Sequence, residues 1–263
     1  MRAHGRKAPA RKGSPERRRE PEAPSGGVAL LYGAHTVREA LLAGQRELLA
    51  LYATENAWPR IVEAAGRAGL EPRIVEAREL TRRLGEEAVH QGLLLEARPL
   101  PELTLDEIET KSGIVLALDQ ITDPHNVGAM LRSAAAFAVD AAIVTERHGP
   151  QFSGVLAKAA SGALEHVPIV TVVNLARSLE QLSRQGFWLV GLDSAGETNL
   201  EEAPLRAPVA LTLGAEGKGL RRLTRERCDL VARLDMPGPI KSLNVSNACA
   251  VALSVLQRRL RLA

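Results

Sequence analysis

The chain has 263 residues, enough for one or two domains, and its apolar (45%) and charged (25%) fractions are those of globular proteins, which excludes disordered and fibrous classes. The net charge is +3, no apolar run reaches the roughly 18 residues that span a bilayer, and residues 1–27 lack the apolar region of a secretory signal. Two widely separated cysteines, Cys228 and Cys249, argue against a disulfide scaffold or zinc ribbon. We therefore expect a soluble cytoplasmic protein without a membrane partner.

Positive charge is concentrated in residues 1–27. This segment has eight Lys or Arg against three Glu, so it carries a formal charge of +5 and the remainder carries −2. We interpret residues 1–27 as a disordered basic tail that either contacts nucleic acid non-specifically or only increases solubility.

Residues 28–97 alternate between helical and strand patterns and predict a small α/β domain. The predicted helices and strands lie at 36–43 and 58–67, and at 48–52, 73–75 and 92–95. Pro99 and Pro101 then favour an extended chain, so residues 98–112 are interpreted as a linker.

Residues 113–263 predict a larger, doubly wound α/β domain, because short apolar runs alternate with helix-length segments. The predicted strands of this parallel sheet lie at 114–118, 141–144, 169–172, 188–192, 209–213 and 230–234. A final helix over 245–260 has an apolar stripe, which packs either on the core of its own chain or on a second subunit.

Three polar segments follow predicted strands, where ligands of open parallel sheets bind. Residues 119–132 open a helix that Asp123 or Asn126 can cap. Residues 213–219, with the sequence LGAEGKG, match neither the dinucleotide GxGxxG nor the phosphate-loop pattern, and a plain glycine-rich turn is the alternative. Residues 234–247 form a stiff loop with a polar Ser-Leu-Asn-Val-Ser-Asn cluster, in which Ser242 or Asn244 can cap the final helix.

Together and in this order, these segments resemble the motifs of the SpoU-type RNA 2'-O-ribose methyltransferases of the SPOUT superfamily. Residues 32–37 (YGAHTV) and 90–92 (HQG) are similar to the small RNA-binding domain of the bacterial 23S rRNA guanosine-2'-O-methyltransferase subgroup. The resemblance implies an α/β catalytic domain over 113–263 with a C-terminal trefoil knot, a homodimer, and S-adenosyl-L-methionine as cofactor. It also implies 23S rRNA or a ribosomal precursor as the RNA partner, and no metal.

The resemblance further assigns residues to the site. The positions that would hold the cofactor are Leu213, Gly214, Leu234, Met236, Ile240 and Leu243. The positions that would line the reaction centre are Asn126, Arg132, Glu216, Ser242 and Asn244. Three positions depart from the family pattern: Asp235, Asn247 and Ala138, the last interpreted as helix-end packing.

Arg132 would hold the target phosphate and polarise the ribose hydroxyl, because a guanidinium keeps its proton and is a poor base. Seven aromatic residues are too few for a stacking platform, so phosphate contacts should dominate RNA binding. Candidate donors are Arg38, Arg46, Lys158, Lys218, Arg221, Arg222 and Lys241. The alternatives are a tRNA methyltransferase of the same family and a non-catalytic ribosome-assembly protein.

Overall fold

The computed structural model describes residues 27–150 and 154–261. The predicted basic tail, apart from Gly27, lies outside these residues. Within the described ranges, none of the helices combines the length and the apolar character that crossing a membrane requires.

The N-terminal part of the described chain forms a small α/β domain. Its elements are β1 (Ala29–Tyr32), α1 (Ala34–Ala43), β2 (Leu48–Ala53), α2 (Val62–Ala68), β3 (Pro72–Ile74), α3 (Ala77–Leu84) and β4 (Leu93–Ala97). The strand order is β1-β4-β2-β3, in which β4 runs antiparallel to β1 and β2, and β3 runs parallel to β2.

The small domain differs from the sequence prediction at three elements. The helix predicted over 58–67 is divided into a 3-10 turn at Trp58–Arg60 and α2, because Ile61 between them leaves helical geometry, with φ −129° and ψ 1°. β1 and α3 were not predicted: β1 has only four residues, and α3 is mostly polar, with a narrow apolar stripe at Leu80 and Leu84.

The larger domain contains a seven-stranded sheet in which each strand pair is parallel. Its elements are β5 (Ile114–Asp119), α4 (Pro124–Ala136), β6 (Ala141–Thr145), α5 (Gly154–Ala160), β7 (Ile169–Val172), α6 (Leu175–Arg184), β8 (Trp188–Leu192), β9 (Thr198–Asn199), β10 (Val209–Gly214), α7 (Arg222–Arg227), β11 (Leu230–Arg233) and α8 (Val245–Arg261). The predicted strands are confirmed to within a residue at each end, and β9 is additional.

The order of this sheet is β7-β6-β5-β10-β8-β11-β9, so β10 lies between β5 and β8. Alternate residues of the central strands face two separate cores, as a sheet covered on both faces requires. Leu116 and Leu118 of β5 pack in the core that includes residues of α4 and α8, whereas Val115 and Ala117 pack in the core that includes residues of α6.

The stripe of the final helix is buried within the same chain. Val245, Cys249, Ala252 and Leu256 belong to the core that α8 shares with α4. The core interpretation of this stripe is therefore confirmed, while Val251 of α8 remains 44% exposed.

The two domains are in direct contact. Ala157 of α5 packs into the core of the small domain, and its carbonyl accepts a hydrogen bond from Thr36 Oγ1. Arg46 Nε donates to both carboxylate oxygens of Glu165 at 2.8 and 3.0 Å, and both side chains are buried. Because Arg46 is enclosed in this way, it does not offer the RNA contact that the sequence suggested.

Candidate active site

The first polar segment begins α4 at the carboxyl end of β5. Asp123 is the N-cap and accepts a hydrogen bond from His125 N at 3.1 Å, which resolves the choice between Asp123 and Asn126. Pro124 occupies the first turn, where its missing N–H has no intrahelical partner to lose. Asn126 is thereby released from capping and lies half-buried in the same turn.

Asn126 contacts the third polar segment. Asn244 Nδ2 donates to Asn126 Oδ1 at 3.0 Å across 118 residues of sequence. Asn244 Oδ1 accepts from Ser246 N at 2.9 Å and from Ser246 Oγ at 2.6 Å, so Asn244 also caps α8. These contacts fix both amides, and among the described residues the two N–H groups of Asn126 Nδ2 have no hydrogen-bond partner.

The glycine-rich segment is a tight turn that folds back on the end of β10. Ala215 O accepts from Lys218 N at 3.2 Å and from Gly219 N at 2.8 Å. A Cβ at Gly214 would lie 2.1 Å from the backbone of Gly219, so no side chain fits there. Glu216 is exposed in this turn.

Two aspartates hold the end of the turn, one from each strand beside β10. Asp119, the last residue of β5, accepts from Arg221 N at 3.0 Å and Nε at 2.6 Å. Asp193, directly after β8, accepts from Ala195 N, Leu220 N and Arg225 Nη2. Burial acts to raise the pKa of Asp193, but these hydrogen bonds together hold the pKa below its ordinary value.

Neither these two aspartates nor Ser246 has a role that the sequence predicts. A signal for the aspartates was present, since both follow apolar runs at the carboxyl edge of the sheet, where functional residues of parallel sheets collect.

The loop between β11 and α8 is held by side chains at both ends. Asp235 accepts from Arg233 Nε at 2.8 Å and from Asn199 Nδ2 at 2.9 Å. Lys241 Nζ donates to Met236 O at 2.6 Å. Asp235, one of the three departures from the family pattern, thus ties the start of the loop to β9.

The predicted site residues divide into two groups. Asn126 and Asn244 are brought into contact, and Leu213 and Gly214 are buried at the end of β10. Arg132, Glu216 and Ser242 are exposed, and none forms a side-chain hydrogen bond or ion pair with another residue in the described ranges. Arg132 is six residues beyond Asn126 on α4, about 9 Å along the helix and on a different side of it.

The cofactor positions suit a ligand with an apolar body and polar edges. Ile240 is 73% exposed and Leu243 is 41% exposed, although both are large and apolar. They lie on a loop outside regular secondary structure, whose backbone polar groups can bond a ligand. Apolar side chains beside available backbone groups fit the adenosyl part of S-adenosylmethionine, so the residues present suit this cofactor.

Neither cysteine has the properties of a nucleophile. Burial raises the pKa of Cys249 to about 12, and burial with the nearby Asp229 raises that of Cys228 to about 12. Across residues 27–150 and 154–261, no group of three His, Cys, Asp or Glu side chains is placed to hold a metal ion.

Comparison with known proteins gives matches to both domains. Residues 113–254 match the profile of the SpoU rRNA Methylase family, and residues 30–103 match the profile named RNA 2'-O ribose methyltransferase substrate binding. The chain is 40% identical over 237 residues to a 23S rRNA (guanosine-2'-O-)-methyltransferase, RlmB, of Pseudomonas aeruginosa, covering 87% of this chain and 96% of that protein.

Solved structures give the same architecture. A crystal structure of an RNA 2'-O ribose methyltransferase is 28% identical, with a TM-score of 0.75 and coverage of 90% of each chain. The SpoU methyltransferase AviRb of Streptomyces viridochromogenes, crystallised with AdoMet, is 23% identical, with a TM-score of 0.75 over 90% of this chain and 91% of that chain. The predicted fold class, an α/β domain with a parallel sheet after a small α/β substrate-binding domain, is thereby confirmed, and the C-terminal knot stays a prediction.

Proposed function

The chain belongs to the SpoU rRNA methylase family, and from this we propose that it methylates the ribose 2'-hydroxyl of a guanosine in 23S rRNA. The reaction is an S-adenosylmethionine-dependent RNA 2'-O-methylation. A cytoplasmic location follows from this substrate and cofactor.

The observation that carries the proposal is the hydrogen bond between Asn126 and Asn244. It joins the first turn of α4, which follows β5, to the residue that caps α8, and β5 lies beside β10, the strand that leads into the glycine-rich turn. The amide of Asn126 is oriented by Asn244, and Asn244 is oriented by Ser246. Asn126 would therefore donate to an RNA oxygen with little loss of side-chain freedom, and Asn244 would act as its positioning residue.

We assign the cofactor to Leu213, Gly214, Leu234, Met236, Ile240 and Leu243. When bound, S-adenosylmethionine supplies an electrophilic methyl group on its sulfonium. Two contacts hold the backbone of these segments. Gly219 packs against Gly214 in the glycine-rich turn, and Lys241 Nζ donates to Met236 O in the loop before α8.

The ribose hydroxyl must lose its proton as it acts as a nucleophile, and at this exposed edge the proton would pass to solvent water. Arg132 would bind the target phosphate and polarise the hydroxyl, while its guanidinium remains protonated. Glu216 would orient the substrate or a basic group from the tip of the turn, and Ser242 would contribute a hydroxyl to the same edge. No metal enters this scheme.

We also propose that the enzyme is a homodimer acting on 23S rRNA or a ribosomal precursor. Val251, a large apolar residue that is 44% exposed on α8, supports a subunit contact on this side of the helix. Sedimentation should give twice the chain mass of 28.2 kDa.

Transfer of labelled methyl from S-adenosylmethionine to unmodified 23S rRNA and to bulk tRNA tests the proposal. We expect label on 23S rRNA at a single ribose, resistant to alkali, and none on tRNA. Label on tRNA alone would replace the proposed substrate. Cofactor binding without transfer to rRNA or to assembling ribosomal particles would favour a non-catalytic assembly protein.

A further inference from the structure

Arg221 follows the glycine-rich turn, and a buried carboxylate holds its side chain. The Asp119 side chain is 0% exposed and accepts from both the backbone N and the Nε of Arg221, at 3.0 and 2.6 Å. Because the two bonds connect one carboxylate to the backbone and the guanidinium of the same residue, they restrict the direction of this side chain.

The terminal nitrogens of Arg221 remain available. The Arg221 side chain is 46% exposed, and its Nη1 and Nη2 donate to no atom within the described residues. A guanidinium has five N–H donors, of which Asp119 uses only the one on Nε. Four donors therefore remain for a ligand from solvent.

The other arginines of this region use a terminal nitrogen within the protein. Arg222 Nη1 contacts Glu226, Arg225 Nη2 contacts Asp193, and Arg227 Nη2 contacts Glu180, each at 2.6 Å. In residues 221–227, Arg221 thus presents a complete terminal fork to solvent.

The position of Arg221 connects it to the proposed reaction centre. Asp119 and Gly214 are paired in the register of β5 and β10. The contact between Asp119 and Arg221 therefore lies at the end of β10, where the turn that carries Glu216 begins. Lys218, also exposed, lies in the same turn.

We propose that Arg221 binds a phosphodiester group of the substrate RNA and that Asp119 is its positioning residue. The planar fork of a guanidinium matches two phosphate oxygens, and a side chain already held in place loses less freedom on binding. This inference rests on the proposed function, because it names a contact to the RNA at the same site.

The test compares Arg221→Ala with Arg227→Ala, which removes the same charge from a residue of α7 already paired with Glu180. Binding to unmodified 23S rRNA is measured at several salt concentrations, together with KM for RNA, kcat and affinity for S-adenosylmethionine. Loss of one phosphate contact should lower the slope of log affinity against log salt by about 0.7–0.9. We expect this lower slope for Arg221→Ala, with a higher KM for RNA and unchanged cofactor affinity. Arg227→Ala should change neither the slope nor KM.

Two further variants separate charge from orientation. Arg221→Lys should keep the salt slope but raise KM, because an ammonium lacks the planar fork. Asp119→Asn should also raise KM without lowering the slope, since Arg221 stays charged but is less well held. If Asp119→Asn unfolds, the two Arg221 variants still decide the assignment.

Equal effects of Arg221→Ala and Arg227→Ala on the salt slope would overturn the proposal. Arg221→Ala could instead weaken cofactor binding and leave the salt dependence of RNA binding unchanged. That result would also overturn the proposal, because Arg221 would then contact the carboxylate of the cofactor. Failure of the proposed function is distinguishable, because in that case the wild-type protein itself would not methylate rRNA.

Discussion

At the residue scale, the proposed site separates side chains that are fixed by the protein from side chains that are free to meet RNA. Asn126 is oriented through Asn244 and Ser246, whereas Arg132 is exposed and makes no side-chain contact in the described ranges. An exposed arginine without an internal partner contributes little to folding, so its removal can be tested without loss of structure.

We predict that Arg132→Ala lowers the turnover of RNA methylation about 100- to 10,000-fold while affinity for S-adenosylmethionine persists. The reason is that the variant loses the group that holds the target phosphate and polarises the hydroxyl. Single-turnover methyl transfer and calorimetric cofactor binding measure the two effects. Arg177→Ala, at an exposed arginine of α6, is the matched control and should retain activity. A fully active Arg132→Ala enzyme would refute the assignment.

At the element scale, the glycine-rich turn depends on close packing of backbone on backbone. Gly214 ends β10 where Gly219 returns over it, and Gly219 itself has a positive φ of 64°. Asp119 and Asp193, from the two strands beside β10, then hold the chain as it leaves the turn. The turn is therefore held by the sheet as well as by its own glycines and backbone hydrogen bonds.

We predict that Gly214→Ala lowers the free energy of unfolding by about 1–3 kcal/mol, because the added methyl cannot fit without moving the turn. Affinity for S-adenosylmethionine should fall at least about tenfold, which corresponds to about 1.4 kcal/mol of binding free energy. Chemical denaturation and calorimetry measure both quantities.

Gly66→Ala provides the control for this prediction. Gly66 lies in α2, and a Cβ built there meets nothing within 4 Å. Alanine is favoured over glycine in a helix, so this variant should gain about 0.5–1 kcal/mol with normal cofactor binding. Unchanged cofactor binding in Gly214→Ala would show that the close return of the turn is not required.

At the scale of the whole molecule, the buried pair of Arg46 and Glu165 fixes the small domain against the large one. Burial raises the pKa of Glu165, while the charge and hydrogen bonds of Arg46, and the nearby His166, act to lower it. A carboxyl whose folded pKa exceeds its unfolded value contributes stability below its ordinary pKa of 4.5. That contribution is lost as the pH rises through the folded pKa.

We predict that Arg46→Met raises the pKa of Glu165 further and lowers the free energy of unfolding by about 3 kcal/mol at pH 8. The loss should be smaller at pH 5, where more of Glu165 is protonated. Urea unfolding at both pH values measures the difference. Removing both charges, in Arg46→Met with Glu165→Leu, should recover most of the stability and the pH dependence of this pair should disappear.

Arg67→Met is the matched control, because Arg67 and Glu63 form an exposed pair within α2. We expect a loss below about 1 kcal/mol that does not vary between the two pH values. An equal loss for Arg46→Met and Arg67→Met would contradict a role of the buried pair in holding the domains together.

Several features could be predicted from the sequence because they depend on local chemistry. The strands of the large sheet are predicted by unbroken apolar runs. The start of α8, which Asn244 caps, is predicted by the polar cluster before it. Ala138 shows the limit of this reasoning: it was interpreted as helix-end packing, but its φ of 53° places it in the left-handed conformation that favours glycine.

The sequence by itself determined most strands of the large sheet, the order of the polar segments and, through their resemblance to a family, the reaction. Only the tertiary structure decided that β10 lies between β5 and β8, and this order brings Asp119, Asp193 and Arg221 to one turn. It also decided that Arg46 faces Glu165 instead of RNA, and that Asn126 meets Asn244. The physical reason is that periodicity and capping act over a few residues, whereas strand order and buried ion pairs depend on groups about 100 residues apart, which no local pattern brings together.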